Sequence, residues 1–193
     1  MLRASLLALS LLAVAPAWAA PQIRAADADR LARFDEAAGR ALLVALSEGD
    51  AGDIDVLTRA LAGRPLAPAP NGDWNCRTIK LGGLSGLVAY TDFRCRITQV
   101  GPTEWRFEKL TGSQRTVGTI SMIDGRLIYL GAGHTGEAPA TDYAGLPDTQ
   151  TAVEPNQTIP QVAVFEQTSM TSARLMFPYP LLESEFDLLY LTR

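Results

Sequence analysis

The apolar residues of this chain follow a helical spacing first and a strand spacing afterwards. From Asp27 to about Gly49 they recur at steps of three and four, which is typical of a helix with one buried face. Those positions are Leu31, Phe34, Ala38, Leu42 and Ala45. Asp53 can then cap a second helix that ends at Gly63 and carries an apolar stripe of Ile54, Leu57 and Leu61. The pattern predicts a helical hairpin over residues 20–64 and a stiff proline-rich link over residues 65–71.

From Trp74 onward apolar and polar residues alternate, as they do in strands with one buried face. The first three predicted strands carry the apolar sets Trp74 and Cys76, then Phe93, Cys95 and Ile97, then Trp105 and Phe107. Further strands are predicted around residues 116–122, 126–130, 161–167, 173–177 and 186–191, and residues 131–160 are predicted to form a long surface loop. Eight strands with mostly short connections predict a lipocalin-like antiparallel barrel or strongly bent sheet over residues 72–193. The expected fold class is mainly β with an N-terminal helical pair (α+β).

The first nineteen residues have the pattern of an export signal. A basic start with Arg3 precedes a short apolar run, and Ala17-Trp18-Ala19 fits the small-residue rule for cleavage. The apolar run is shorter than the roughly 20 residues that span a bilayer, and no later segment is long and apolar enough to do so. We therefore expect residues 1–19 to be a signal peptide, the mature protein to be periplasmic or secreted, and no stable membrane insertion.

The charge balance bears on the choice of partner. The sequence has 17 Lys and Arg against 21 Asp and Glu, a net charge of −4, and loss of Arg3 with the signal makes it −5. Because nucleic-acid binding usually requires a strongly basic face, this balance argues against nucleic acid as the partner.

Two cysteines in an exported chain most simply form one disulfide, Cys76–Cys95. Closing that loop would restrict the unfolded chain by about 3 kcal/mol in the entropy model. The alternative is a pair of reactive or metal-binding thiols. With His134 as the single histidine they are too few for a structural zinc site, so we expect no metal. Each cysteine shares a strand face with an aromatic residue, which predicts a bridge inside the barrel near one end.

Several longer motifs are similar to those of a known family. They are CRTIKLGG (76–83), FRCRI (93–97), FEKLTGSQR (107–115), LIYLGA (127–132), FPYP (177–180) and ESEFDLLYL (183–191). In combination they resemble an exported bacterial family, the domain of unknown function DUF4893. The resemblance implies export and brings no reaction, cofactor or site. Where relatives carry a Tyr-Gly and an Arg-Asp pair, this chain has only Asp142-Tyr143-Ala144-Gly145.

The segment LTGSQR (110–115) is the polar cluster most suggestive of a binding site. At a strand–turn–strand junction, backbone N–H groups can form an anion-binding concavity beside a guanidinium. This hypothesis assigns Thr111, Ser113, Gln114 and Arg115 to a carboxylate or phosphate ligand. The alternative is a structural turn in which the two hydroxyls bond local backbone groups.

Other polar patterns have simpler structural interpretations. GAGHTG (131–136) matches a dinucleotide-binding spacing but lacks a predicted following helix, so we expect no cofactor. His134 falls in the predicted long loop, and we interpret it as a surface residue. Glu183, Glu185 and Asp187 are predicted to share one face at the charged start of a strand, rather than to form a catalytic carboxylate pair. A set of arginines on adjoining strand faces is expected to pair with Glu104 and Glu108 or to meet an acidic partner. That set is Arg77, Arg94, Arg96, Arg106 and Arg115.

These patterns favour a non-catalytic exported module that holds a small ligand in the barrel mouth or binds an envelope protein. One alternative is a hydrolase-like periplasmic enzyme that uses the Ser113 and Arg115 turn. Another is a lipocalin-like protease inhibitor, which Gly72-x-Trp74 and the paired cysteines resemble. A barrel interior filled with aromatic side chains would favour binding, whereas a deep cleft joining Arg115, His134 and Glu183 would favour an enzyme.

Overall fold

The computed structural model describes residues 22–137, 140–154 and 156–193, so the predicted signal peptide over residues 1–19 lies outside the described part. Three helices come first: α1 (Ala25–Ala32), α2 (Phe34–Glu48) and α3 (Ala51–Leu61). None of the described helices is long and apolar enough to cross a membrane. The predicted first helix is thus two helices that meet at Arg33. The apolar spacing continues through this junction, which is why the sequence pattern did not reveal it.

Eight antiparallel strands follow and close into a barrel in which each strand pairs with its neighbours in sequence and β8 returns to β1. The strands are β1 (Gly72–Leu81), β2 (Leu87–Gly101), β3 (Glu104–Lys109), β4 (Gln114–Ile123), β5 (Arg126–Thr135), β6 (Ile159–Ser169), β7 (Ser172–Pro178) and β8 (Phe186–Thr192). The expected fold class is therefore confirmed in its barrel form. Closure leaves no free sheet edge, so every strand finds its backbone partners within the chain.

Strand alternation divides the apolar side chains into two cores. The inner core fills the barrel with aromatic and aliphatic side chains. Its aromatic members are Trp74, Trp105, Phe107, Tyr129, Phe165 and Phe177. The outer core lies between the three helices and the outward faces of several strands, and it includes Leu57, Leu81 and Leu188. Because helices and barrel share this core, the helices are packed onto the barrel.

The predicted disulfide is confirmed. Cys76 and Cys95 are bonded across β1 and β2 with a Cα–Cα distance of 5.9 Å. Both side chains are buried in the inner core beside Trp74. The bridge thus joins the first two strands from inside the barrel.

The long loop and the start of α3 differ in detail from the predictions. β5 extends to Thr135 and β6 begins at Ile159, so the predicted loop of residues 131–160 overlaps strand at both ends, and its described residues include a short 3-10 turn at Tyr143–Gly145. The predicted second helix is α3, and Asp53 does not cap it, because α3 begins at Ala51. Its carboxylate instead accepts a hydrogen bond from the backbone N–H of Ala89 in β2, at 3.2 Å, and so ties the helix to the barrel.

Candidate functional site

One mouth of the barrel contains a small polar cavity of about 80 Å³. Polar side chains from five strands line it, among them Thr78, Lys80, Lys109, Thr116, Gln161 and Asp187. Phe177 and Leu189 supply an apolar part of the wall. Below this level the inner core is aromatic, so the cavity is a shallow polar pocket and not a channel.

The strand period accounts for the inward position of the charged groups. On β1, Lys80 lies six residues after Trp74 and four after Cys76, which places it on the face that points into the barrel. On β3, Lys109 follows Phe107 by two residues and takes the same face. On β8, Asp187 lies opposite Lys80 in the strand register. Three strands that are far apart in sequence thus bring charged side chains to one mouth.

The two lysines are unusual for this chain. They are the two lysines of the whole sequence, and the other 15 basic side chains are arginines. Only 9% of Lys80 and 8% of Lys109 is exposed. Lysine is rarely buried to this extent unless it is paired. The chain therefore places its two compact ammonium groups inside the barrel and uses arginine everywhere else.

The contacts of the two ammonium groups differ. Lys80 Nζ lies 2.5 Å from Glu183 Oε2 and 3.4 Å from Gln114 Oε1. Lys109 Nζ donates to the backbone oxygen of Gln114 at 2.6 Å and lies 3.9 Å from the centre of the Phe93 ring. Among the described residues, no carboxylate oxygen comes within 4.0 Å of Lys109 Nζ. Within the described ranges, Lys80 therefore has an ion-pair partner and Lys109 has none.

The electrostatic surroundings shift the pKa values of two groups in the cavity. Burial, followed by the charges of Lys80 and Arg115, lowers the pKa of Lys109 to about 8. Burial raises the pKa of Asp187 to about 6, although a hydrogen bond from Ser184 Oγ at 2.6 Å and the charge of Lys80 both act to lower it. Both groups therefore titrate near neutral pH, as groups at binding and catalytic sites often do.

A hydroxyl network forms the floor of the cavity. Thr116 Oγ1 lies 2.5 Å from both the Tyr129 hydroxyl and Gln161 Oε1. The Tyr129 ring lies over the backbone of β5, where a Cβ atom at Gly131 would come within 2.1 Å of its hydroxyl oxygen. Glycine at position 131 is what makes room for this ring. Burial raises the pKa of Tyr129, so the hydroxyl stays neutral and serves as a fixed hydrogen-bonding group.

The structure separates the four site residues predicted from LTGSQR. Gln114 and Arg115 line the cavity. Thr111 Oγ1 instead accepts the backbone N–H of Arg94 at 2.9 Å, and Ser113 is exposed. Arg115 lies at the rim, where Nε donates to the Gly112 oxygen at 3.2 Å and Nη2 meets Glu137 at 3.2 Å.

His134 and the ESEFD carboxylates differ from their sequence interpretations. The surface-loop interpretation of His134 is wrong, because the residue lies half-buried in β5, opposite Arg115 in the register, with a pKa lowered by burial. The carboxylates do not share one face of a strand, since β8 begins only at Phe186. Glu183 pairs with Lys80 and Glu185 with Arg40, while Asp187 lines the cavity.

The arginines of the strand faces only partly find the partners that were predicted. Arg106 does meet Glu108, at 3.2 Å. Arg77, however, pairs with Asp92 at 2.8 Å, and Arg96 pairs with Asp73 at 2.7 Å. In the last two pairs the arginine and the aspartate are register partners on β1 and β2, as expected for cross-strand charge pairs. Their acidic partners are therefore not the predicted Glu104 and Glu108.

Sequence reasoning missed Lys80, Lys109, Thr116 and Gln161. The signal for the lysines is their phase: each continues a run of inward positions that begins with a tryptophan. A lysine on the buried face of a predicted strand is a candidate site residue for that reason. Within the described residues, no group of three or more His, Cys, Asp or Glu side chains could hold a metal ion.

A second, larger cavity lies outside the barrel and has about 920 Å³. It is an open groove between residues 22–26, residues 142–148 and the outward face of β3–β5. In this groove Arg24 Nη2 contacts the backbone oxygens of Tyr143 and Leu146, while the buried Arg24 Nη1 has no hydrogen-bond partner among the described residues. We place the candidate site in the barrel mouth instead, because Lys109 and Asp187 there have no ion-pair partner in the described part of the chain.

Comparison with known proteins agrees with the motif resemblance. The model of a family described as a domain of unknown function, DUF4893, matches residues 18–191. Neither the curated proteins nor the solved structures gave a match.

Proposed function

The chain belongs to the DUF4893 family, and we propose that it is an exported, non-catalytic binding protein that holds a small anionic ligand in the lysine-bearing mouth of its barrel. The ligand group is a carboxylate or a phosphate. The observation that carries this proposal is the inward placement of both lysines of the chain at one mouth, at 8–9% exposure. An ammonium is a compact point charge, which suits a small anion in a confined space.

The energetics of Lys109 support an anionic ligand. Its ammonium group is buried and has no carboxylate within 4.0 Å in the described part of the chain. A buried charge without a counter-ion is costly, and a bound anion would supply the missing partner. The same anion would lie within reach of the second ammonium and of the Gln114 side chain, which both face the cavity.

The contents of the barrel support binding over catalysis. The inner core is filled by aromatic side chains, as expected for a binding or structural module. His134 is on the outward face of β5, because Tyr129 on the same strand points inward and the two are five residues apart. An imidazole at that position does not share the cavity with Lys80 and Asp187, so the hydrolase-like alternative gains no support from His134. The disulfide supports export, because such bonds persist in oxidising compartments.

Titration of the mature protein with acetate and with phosphate at low ionic strength tests the proposal. We expect saturable binding that Lys109→Met weakens by about tenfold or more, since a charge-assisted hydrogen bond contributes about 1.5–3 kcal/mol. Arg64→Met, which removes an exposed base outside the barrel, is the matched control and should leave affinity unchanged. Equal affinities in the wild type and in both variants would contradict the lysine site.

A further inference from the structure

Among the residues that the structure describes, the charged side chains at the barrel mouth form two ion pairs and leave two side chains without one. Lys80 pairs with Glu183, and Arg115 pairs with Glu137. Lys109 and Asp187 remain, and both line the cavity. Neither has an ion-pair partner within 4.0 Å in the described residues, and they do not pair with each other. One cavity thus contains one unpaired positive group and one unpaired negative group, held apart.

We propose that the barrel mouth binds a small zwitterion, an amino acid of about the size of glycine or alanine. Its carboxylate meets the Lys109 ammonium and its ammonium meets the Asp187 carboxylate. The inference rests on the proposed function for the anionic end of the ligand and adds the cationic end, which an anion site alone does not require.

Charge balance selects this ligand class over simpler ones. A plain carboxylate would neutralise Lys109 but would bring a second negative charge near Asp187 and leave it unpaired. A plain amine would leave Lys109 unpaired in the same way. A zwitterion supplies both counter-ions at once and leaves the net charge of the cavity unchanged. Because unpaired charges are costly where water is scarce, the ligand that satisfies both should bind best.

The size and wall of the cavity fit the same class. A volume of about 80 Å³ corresponds to only a few water-sized groups, so the ligand has few heavy atoms. Phe177 and Leu189 offer an apolar surface for one or two carbon atoms. Ser184 already donates to one oxygen of Asp187, at 2.6 Å, and no other hydrogen bond to this carboxylate is present among the described side chains. The second carboxylate oxygen can therefore accept from a ligand ammonium.

The test compares four probes by calorimetric titration of the full mature protein at pH 7: glycine, alanine, acetate and methylamine. Glycine or alanine should bind at least about tenfold more tightly than acetate or methylamine, which corresponds to one additional satisfied charge. Lys109→Met should weaken the binding of glycine and of acetate alike. Asp187→Asn keeps the shape and can still accept the Ser184 hydrogen bond, so it should weaken glycine by about tenfold while acetate binds as well or better.

The possible results distinguish a zwitterion site from a simple anion site. Acetate binding as tightly as glycine, with no effect of Asp187→Asn on glycine, overturns the zwitterion and leaves the anion site standing. No binding of glycine, alanine or acetate, in protein whose thermal unfolding is cooperative, overturns both. Methylamine binding more tightly than acetate would show a cation site and would also overturn both.

Discussion

At the scale of single residues, Lys109 and Asp187 are held in surroundings that oppose their charge. The pKa of Lys109 falls from 10.5 to about 8 and that of Asp187 rises from 3.8 to about 6. A shift of one pKa unit corresponds to about 1.4 kcal/mol, so each charge costs about 1–3 kcal/mol of folding free energy at neutral pH after allowance for solvent in the cavity. A fold that only needed stability would fill these positions with apolar side chains. Their presence is the energetic argument for a site.

Asp187→Asn should therefore stabilise the protein at neutral pH. The folded-state pKa is raised, so stability falls as pH rises through the interval from about 3.8 to about 6, and the full penalty remains above it. The substitution should raise the free energy of unfolding by about 1–2 kcal/mol more at pH 7.5 than at pH 3.5. Urea unfolding at the two pH values measures this. Asp124→Asn, at an exposed hairpin, is the matched control for the same change of side chain.

Glycine affinity should follow a bell-shaped pH profile. It falls below about pH 6, where Asp187 becomes neutral, and above about pH 8, where Lys109 becomes neutral. The other charged groups at the mouth are Lys80, Glu183 and Arg115, and each of them is held in an ion pair. Asp187→Asn should remove the acid limb and keep the alkaline one. A flat profile between pH 5 and 9 would show that neither group contacts the ligand.

At the scale of elements, the sequence predicted what depends on local alternation and missed what depends on closure. The first three strands follow from period-two patterns such as Phe93, Cys95 and Ile97, because one face of each strand is buried. Lys109 could not be assigned in the same way, since a lysine at the end of a strand is usually solvated. Its burial arises only when β1, β3 and β8, which are distant in sequence, meet at one mouth. Gln114 and Arg115 were found because their turn is polar over several residues.

The Cys76–Cys95 bridge makes a testable contribution to the β1–β2 pair. The bond closes a loop between residues 19 positions apart, and loops of that size restrict the unfolded chain by about 3 kcal/mol. The double variant Cys76→Ala/Cys95→Ala should lose about 2–4 kcal/mol of unfolding free energy. Alkylation of the unfolded, unreduced wild type should label neither cysteine. Two labelled thiols, or an unchanged unfolding midpoint in the variant, would contradict a structural bridge.

The long loop is fastened to α1 by a buried polar cluster. The Tyr143 hydroxyl donates to Asp27 Oδ2 at 2.5 Å, and Asp27 also pairs with the buried Arg30. Burial and the Asp27 hydrogen bond raise the pKa of Tyr143 to about 12. Asp27→Ala should cost about 3 kcal/mol or more, because it leaves Arg30 buried without a counter-ion, whereas Tyr143→Phe should cost about 1 kcal/mol.

Thermal unfolding and hydrogen exchange separate these two effects. Tyr143→Phe should increase amide exchange in residues 140–154 with little change in the barrel, because the tyrosine belongs to that loop. Tyr90→Phe, at a tyrosine that is 42% exposed, is the control for loss of a hydroxyl. Similar destabilisation by Asp27→Ala and Tyr143→Phe would show that the ion pair adds nothing beyond one hydrogen bond.

At the scale of the whole molecule, the two cores make the helices and the barrel depend on each other. The outer faces of β1, β6 and β8 carry Ile79, Val164 and Leu188, which the helices cover. Without that cover these side chains would form an apolar patch on the barrel, and such patches promote association. The helices therefore contribute to barrel stability from outside, while the mouth lies on the inside and stays clear of them.

The shared core predicts that helices and barrel unfold together, and the chain provides separate probes for the two. Both described tryptophans, Trp74 and Trp105, lie in the inner core, so fluorescence reports the barrel while circular dichroism at the helical band reports α1–α3. The two transitions in urea should coincide. Leu57→Ala, at a fully buried contact between α3 and the barrel, should lower both midpoints together and cost about 2–4 kcal/mol. If the helical signal were lost at a lower urea concentration while fluorescence stayed native, the barrel would be stable alone and the helices would unfold independently of it.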